Sequence, residues 1–223
     1  MNILQFERTA ELFSGYGLCL TEEQYGLMDT YIGMLLETNR SMNLTRITEP
    51  EEITCKHLLD SAMLLRYVQM PDTAADVGTG AGFPGTVLKI MSPSTEMTLI
   101  DSLNKRISFL KEVSAATLPM NCVHMRAEEA GRKMRESFGL CTARAVAAFD
   151  VLCEYCLPLT HTGGIFAAYK GPGEEIDTSV PKIFGGETEN IFEYSLPDGE
   201  KRRLIIVRKV SPCDLKYPRR RIK

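Results

Sequence analysis

One short run constrains this chain more than any other: Asp76-Val77-Gly78-Thr79-Gly80-Ala81-Gly82-Phe83-Pro84-Gly85, with four glycines in its last eight residues. It follows an apolar, strand-like run at 74–77 and leads into a helix-compatible run at 85–91. Glycines adopt φ > 0 without steric cost and let backbone approach a ligand closely. The helix that follows presents unpaired N–H groups at its start. In an open parallel sheet, such a junction borders the ligand crevice. A glycine turn alone also serves as a plain tight connection, so the rest of the chain must decide.

Beyond residue 73 the chain alternates short β-rich runs with helical ones. Strands are expected at 74–77, 97–100, 122–125, 140–143, 165–169, 191–196 and 204–207, and helices at 85–91, 105–116, 127–137 and 146–157. This alternation predicts an α/β fold, a mostly parallel seven-stranded Rossmann-like sheet with helices on both faces. Pro197-Asp198-Gly199 is a turn signal, so the last two strands should form a hairpin. Residues 1–70 read instead as a helical extension. Thr21 and Gln24 form a capping box, Tyr25, Met28, Ile32 and Leu35 recur at helical spacing, and an earlier helix holds Leu12 and Phe13. A further helix runs from about Glu51 to Leu65. Three segments follow: 1–70, the sheet domain 71–210, and a basic tail 211–223.

The 223 residues are 44% apolar and 25% charged, which suits one sizeable globular domain with an appendage. No apolar run nears the ~20 residues that cross a bilayer, and the first residues lack the pattern of an export signal. Seven cysteines, an odd number without framework spacing, point to a reduced, cytoplasmic protein. Cys153 and Cys156, three apart on an expected helix, read as packing residues, and no metal site is expected. The net charge of −3 conceals an asymmetry. Residues 201–223 carry ten Lys and Arg against one acid, Asp214, which leaves −12 on the rest. A basic segment on an acidic body suits either contact with nucleic-acid phosphates or simple solvation.

Two ligands compete for the glycine loop. Gly80-Ala81-Gly82-Phe83-Pro84-Gly85 satisfies the dinucleotide pattern G-x-G-x-x-G. In that register, however, Pro84 removes an N–H that would serve a pyrophosphate. The Asp-x-Gly-x-Gly-x-Gly register from Asp76 instead matches S-adenosylmethionine enzymes. Asp101, closing the second strand, is then placed to accept hydrogen bonds from two ribose hydroxyls.

The loop resembles that of the small-subunit (16S) ribosomal RNA guanine-N7 methyltransferases, the RsmG or glucose-inhibited division protein B family. Further motifs resemble the family's in order: Asn43-Leu44-Thr45, Lys56-His57-Leu58-Leu59-Asp60-Ser61, Asp101-Ser102 with Lys105-Arg106, Arg126-Ala127-Glu128-Glu129, Arg144-Ala145-Val146-Ala147, Lys170-Gly171 and Tyr217-Pro218-Arg219. The resemblance implies a class I methyltransferase that uses S-adenosyl-L-methionine on N7 of a guanine, the one at position 527 in standard 16S numbering. It implies a cofactor site of Asp76, Gly78, Gly80, Gly82, Phe83, Asp101, Ala127, Glu128 and Arg144. Arg144, Lys170, Asn43 and His57 are the candidate catalytic residues. The family more often has serine where Thr79 and Ala143 stand, and a longer segment after Tyr-Pro-Arg, so the resemblance does not extend to the C-terminal RNA contacts.

Guanine N7 offers a lone pair without losing a proton, so positioning and electrostatics can supply the catalysis without a general base. After the fourth strand stands Ala143-Arg144-Ala145-Val146, not the Asn/Asp-Pro-Pro-aromatic run of amino-group methylases. The lone Pro-Cys, Pro212-Cys213, lies far along the chain from where a pyrimidine-C5 methylase places its nucleophile. The expected partner is small-subunit ribosomal RNA or the small subunit itself, met by a monomer across a basic rim of Arg144, Lys170 and residues 201–221. A small-molecule methyltransferase on the same fold, or a binding-only ribosome-assembly factor, are the alternatives.

Overall fold

Side chains on successive strand residues point to opposite faces, and the burial pattern of β1 (Thr73–Val77) follows that rule. Ala74 joins one apolar core, whereas Ala75 and Val77 join another. The structure, a computed structural model, describes residues 3–219. Beside β1 lie β2 (Glu96–Asp101), β3 (Asn121–His124), β4 (Phe138–Arg144), β5 (Thr160–Lys170), β6 (Gly186–Ser195) and β7 (Lys201–Lys209). They form one seven-stranded sheet in the order β3-β2-β1-β4-β5-β7-β6. The first five strands run parallel, and β7 is antiparallel to both its neighbours. The strand order reverses between β1 and β4, where open α/β sheets place their crevice.

All seven expected strands form, and β6 and β7 make the expected hairpin. Its turn closes through Gly199 N–H to Leu196 O at 2.9 Å, with Gly199 at φ 84. The helices are α1 (Phe6–Gly15), α2 (Glu22–Met42), α3 (Pro50–Glu52), α4 (Asp60–Ala62), α5 (Gly85–Met91), α6 (Asn104–Ala116), α7 (Ala127–Lys133) and α8 (Phe149–Cys156). Thr21 and Gln24 cap α2 reciprocally, as their spacing predicts.

Three helical expectations need correction. The helix expected over 51–65 is not regular: α3 runs into a π-helical stretch (Ile53–Leu59), then α4, then a 3-10 turn (Met63–Arg66). The helix expected over 127–137 stops at Lys133, because Glu136 turns left-handed (φ 50) and gives its N–H to Pro158 O. The helix expected from 146 begins only at Phe149, because Ala145 is also left-handed (φ 56) and holds residues 145–148 as a loop.

The core on one face joins Phe13, Tyr31, Ile32, Leu58 and Leu59 of the N-terminal helices to Ala74, Leu99, Leu140 and Ile206 of the sheet. The other face packs α7, α8 and the chain after β7. Cys153 and Cys156 are fully buried there, and all seven cysteines are free. Among the described residues no helix is long and apolar enough to cross a membrane.

Candidate active site

The glycine loop is held from below by Asp76. This buried carboxylate accepts from Thr79 Oγ1 (2.7 Å) and Gly85 N (2.9 Å) through one oxygen and from Thr142 Oγ1 (3.0 Å) through the other. Burial pushes its carboxyl above the ordinary range, and those three hydrogen bonds work against the rise. Asp76 is therefore a brace beneath the loop. Gly78, Gly80 and Gly82 all have positive φ (70, 61 and 111), which glycine adopts without the strain a side chain would add. At Gly82 a Cβ would also stand 2.6 Å from Thr86 Oγ1 and 2.8 Å from the Tyr31 hydroxyl. Tyr31, from α2, donates to Ala81 O at 2.8 Å and so ties the N-terminal layer to the loop.

Above the loop lies an open cleft of about 280 Å³, lined among others by Gly78, Asp101, Arg106, Arg126, Ala127 and Glu128. Asp101, at the end of β2, is almost fully buried. One oxygen accepts from Leu103 N (2.8 Å), the other from Gly80 N (3.0 Å) and Arg106 Nη1 (3.2 Å). A fixed carboxylate, a bare glycine backbone and the small side chain of Ala127 fit an adenosine. The carboxylate can take the ribose hydroxyls, and no Cβ of Gly78 blocks the floor. Ala145 and Val146 form the β4-side wall and Tyr155 of α8 adds to the lining. A larger groove of about 1060 Å³ lies between α1, the 49–56 segment and the β6–β7 turn. Glu11, Glu49, Glu51, Glu52 and Asp198 line it against two cations, Arg8 and Lys56, that are paired with these acids, and the net negative lining disfavours phosphate.

Next to the glycine loop is a second constellation. Arg144 continues β4 on the face of Leu140 and Thr142, so it points into the N-terminal helical layer. Its Nη1 donates to Asp60 Oδ2 (2.9 Å) and Lys56 O (3.1 Å), and Nη2 lies 3.4 Å from His57 Nδ1. A guanidinium beside Nδ1 requires a lone pair there, so the proton sits on Nε2. Nε2 then donates to Thr45 Oγ1 at 2.9 Å. Burial, and then the charge of Arg144, lower the His57 pKa to about 4, which leaves the ring neutral at pH 7. Phe83 stacks on His57 with ring centroids 4.3 Å apart, and the Arg144 guanidinium lies 5.4 Å from the Phe83 centroid. His57 lies in the π-helical stretch, a distortion frequent at functional sites.

The structure thus separates the expected site residues into groups. Gly78, Asp101, Ala127 and Glu128 share the cleft; Gly80, Gly82 and Phe83 shape its loop; Arg144 and His57 meet behind Phe83. Asn43 is exposed, and its left-handed backbone (φ 49) ends α2. Lys170 is not beside Arg144. It is one residue past the partner of Arg144 in the β4–β5 register and so faces the opposite layer. There its ammonium donates to Ala147 O and pairs with Glu174 Oε2 at 2.7 Å.

The expected basic rim over 201–221 is corrected as well. Arg203 donates to Gly171 O, Arg208 pairs with Glu189, and Arg219 makes a bidentate pair with Glu154. Lys209 is fully buried, capping Leu157 O and Phe184 O. Lys209 and Arg203 are thus taken up by carbonyls of the fold, while Arg208 and Arg219 are paired but still open to solvent; residues 220–223 lie outside the described ones. The cations that border the cleft are Arg106 and Arg126. Sequence reasoning also missed Asn39, which brackets the Thr45 backbone with two hydrogen bonds, and Tyr194, which donates to Asp60 at 2.7 Å. The motif spacing around Asp60 was a signal; nothing local marks Tyr194. Among the described residues no group of three His, Cys, Asp or Glu side chains is placed to hold a metal ion.

Comparison with known proteins agrees with this geometry. The family described as GidB, rRNA small subunit methyltransferase G, matches residues 24–202. Ribosomal RNA small subunit methyltransferase G of Moorella thermoacetica is 44% identical over 216 residues, covering 92% of this chain and 90% of that protein. The protein of the same name from Symbiobacterium thermophilum is 46% identical, covering 85% and 84%. Among solved structures, a SAM dependent methyltransferase from Aquifex aeolicus aligns with a TM-score of 0.56 at 14% identity, over 75% of this chain and 97% of that one. At that identity the likeness speaks for the fold alone. The family match and relatives of this similarity over nine-tenths of their length leave one conclusion: this chain belongs to the rRNA small subunit methyltransferase G (GidB) family.

Proposed function

We propose that the chain transfers a methyl group from S-adenosyl-L-methionine to N7 of a guanine in 16S ribosomal RNA, acting as a cytoplasmic monomer without a metal. The observation that carries the reading is the single cleft in which Gly78, Asp101, Ala127 and Glu128 converge at the carboxyl edge of β1 and β2. The cofactor supplies a methyl on a cationic sulfur. Asp101 accepts from the ribose hydroxyls, the backbone of Gly78 and Gly80 lies beneath the ligand, and Ala127 and Glu128 border the adenine. Asp76 and Gly82 hold the loop in shape. Arg126 beside the cleft gives RNA phosphates a partner, whereas Arg106 is paired with Asp101.

Guanine N7 keeps its lone pair free at neutral pH, so the chain has no proton to remove. The His57 ring agrees with this economy: Nδ1 faces Arg144 and Nε2 faces Thr45, so neither nitrogen is left to act as a base. Its part is to fix Arg144 and Phe83, and Arg144, 14% exposed and paired with Asp60, meets the target base at the end of β4 by exchanging part of that pairing.

The test is transfer of labelled methyl to isolated small subunits, with the product nucleoside identified by mass spectrometry. 7-Methylguanosine in the wild type, and its loss in a folded Arg144→Ala variant, are the expected results. No incorporation despite cofactor binding would overturn the assignment of substrate, and wild-type activity in Arg144→Ala would remove Arg144 from the site.

A further inference from the structure

The loop 145–148, which forms the β4-side wall of the cleft, is held in place from behind. At its start Ala145 is left-handed at φ 56, a conformation that costs a residue with a Cβ about 1 kcal/mol and persists only where the surroundings impose it. Next to it Val146 lies over the glycine loop, so close that a Cβ on Gly78 would be 2.5 Å from Val146 Cγ2. The loop packs little of its own surface; Val146 is 38% exposed.

Beyond the packing of Ala147 against the core on that face, its restraint comes from one ion pair. Lys170, its side chain only 7% exposed, donates to Ala147 O and pairs with Glu174 Oε2 at 2.7 Å. The other oxygen of Glu174 accepts from Phe149 N at 2.6 Å, at the first residue of α8. Arg203, from β7, bonds the carbonyls of Gly171 and Glu174 and holds the segment bearing Glu174. The two ends of one side-chain pair thus grip residues 147 and 149, and the wall is suspended between them and β4.

We propose that Lys170 and Glu174 are positioning residues that set the β4-side wall of the cofactor cleft against Gly78, and that Lys170 is not an RNA contact. A cation this buried and already paired reaches a phosphate only by leaving Glu174. The inference rests on the cleft being the S-adenosylmethionine site.

The two roles of Lys170 predict opposite behaviour. Binding of S-adenosylhomocysteine is measured by calorimetry for the wild type, Lys170→Met and Glu174→Gln, beside the KM for small subunits and its salt dependence. A displaced wall raises the cofactor-product Kd about ten-fold or more in both variants. The subunit KM and its salt slope stay unchanged. Adding Ala145→Gly to Lys170→Met restores part of the affinity, because glycine adopts the left-handed turn without the clamp. A phosphate contact gives the reverse pattern: Lys170→Met raises the subunit KM and flattens its salt dependence, Glu174→Gln tightens subunit binding by freeing the ammonium, and neither moves the cofactor-product Kd. That pattern, or unchanged behaviour in both variants, overturns the clamp. If Lys170→Met fails to fold, Glu174→Gln, whose side chain is 31% exposed, decides alone. A wild type that does not bind S-adenosylhomocysteine overturns the cofactor reading and the clamp together, whereas variants that bind as the wild type does overturn the clamp only.

Discussion

Acidification should destabilise this protein through one histidine. His57 has a pKa of about 4 in the folded chain, lowered first by burial and then by Arg144, against 6.5 for the free side chain. A depressed pKa on a base means that the unfolded chain takes up the proton first. The contribution to stability is complete above pH 6.5 and is lost as the pH falls toward 4. At pH 5.5 the unfolded imidazole is about nine-tenths protonated while the folded ring is nearly all neutral, so the loss from pH 7.5 is about 1.4 kcal/mol. At that pH the loss depends almost wholly on the unfolded pKa, and the carboxylates, Asp76 included, are common to the wild type and a His57 variant. The assay is urea unfolding at pH 7.5 and 5.5 for the wild type and for His57→Gln, whose amide retains a donor for Thr45. His124 and His161 are present in both chains and cancel. The wild type should lose about 1.4 kcal/mol more than the variant over this interval. Parallel losses, or a His57 ring proton whose NMR shift moves with a midpoint near 6.5, would refute the buried, neutral ring and the tautomer drawn from it.

Three further outcomes follow from the site and its supports. Gly78→Ala should cost about 1–2 kcal/mol in urea unfolding, from positive φ and the contact with Val146. It should also weaken S-adenosylhomocysteine at least about ten-fold by calorimetry; wild-type affinity would move Gly78 out of the cleft. Tyr31→Phe should cost about 1 kcal/mol, because Ala81 O loses its buried donor, and a stability equal to wild type would mean water replaces the hydroxyl. Burial pushes the Glu154 carboxyl up, but its hydrogen bonds to Arg219 outweigh that and hold it below its ordinary range. Arg219→Ala therefore leaves that carboxylate without its partner and should lower the melting temperature. Glu154→Ala releases a cation already 62% exposed and should lower it less. Thermal melts that reverse this order would contradict the burial of Glu154.

Much of the fold was legible because the punctuation is chemical. Thr21 and Gln24 start α2, the glycines stop β1, and Pro197-Asp198-Gly199 turns β6 into β7. The helix boundaries that failed did so where a residue with no special tendency turns left-handed, Glu136 and Ala145, and composition does not announce that. The grouping of Arg144 with Lys170 failed for a different reason. In a sheet covered on both faces, alternation is erased: Phe166, Ala167, Ala168 and Tyr169 are all buried. The pattern therefore does not show which face Lys170 takes. The register Arg144↔Tyr169 settles it, and register is a property of the paired strands.

The same reasoning applies to charge. An excess of cations after residue 200 suggests a basic surface, yet Arg202 lies on one face of β7, Arg203 and Lys209 lie on the other, and each is partnered. Arg202 pairs with Glu200 at 2.6 Å and approaches Asp60 of α4, Arg203 bonds the loop after β5, and Lys209 caps carbonyls beside α8. A count of charges gives the field far from the molecule, but near it the pairing decides what remains for RNA. The N-terminal helices show the converse. Nothing in their periodicity marks them as part of an active site, yet they supply Tyr31 to the glycine loop, His57 to the face of Phe83 and Asp60 to Arg144. The cleft proposed for the cofactor opens at the edge of β1 and β2, with Tyr31 of α2 tying its loop and residues of α6, α7 and α8 in its lining. The residues proposed to meet the target base are oriented by the helical layer, so the site exists only where the two are packed together.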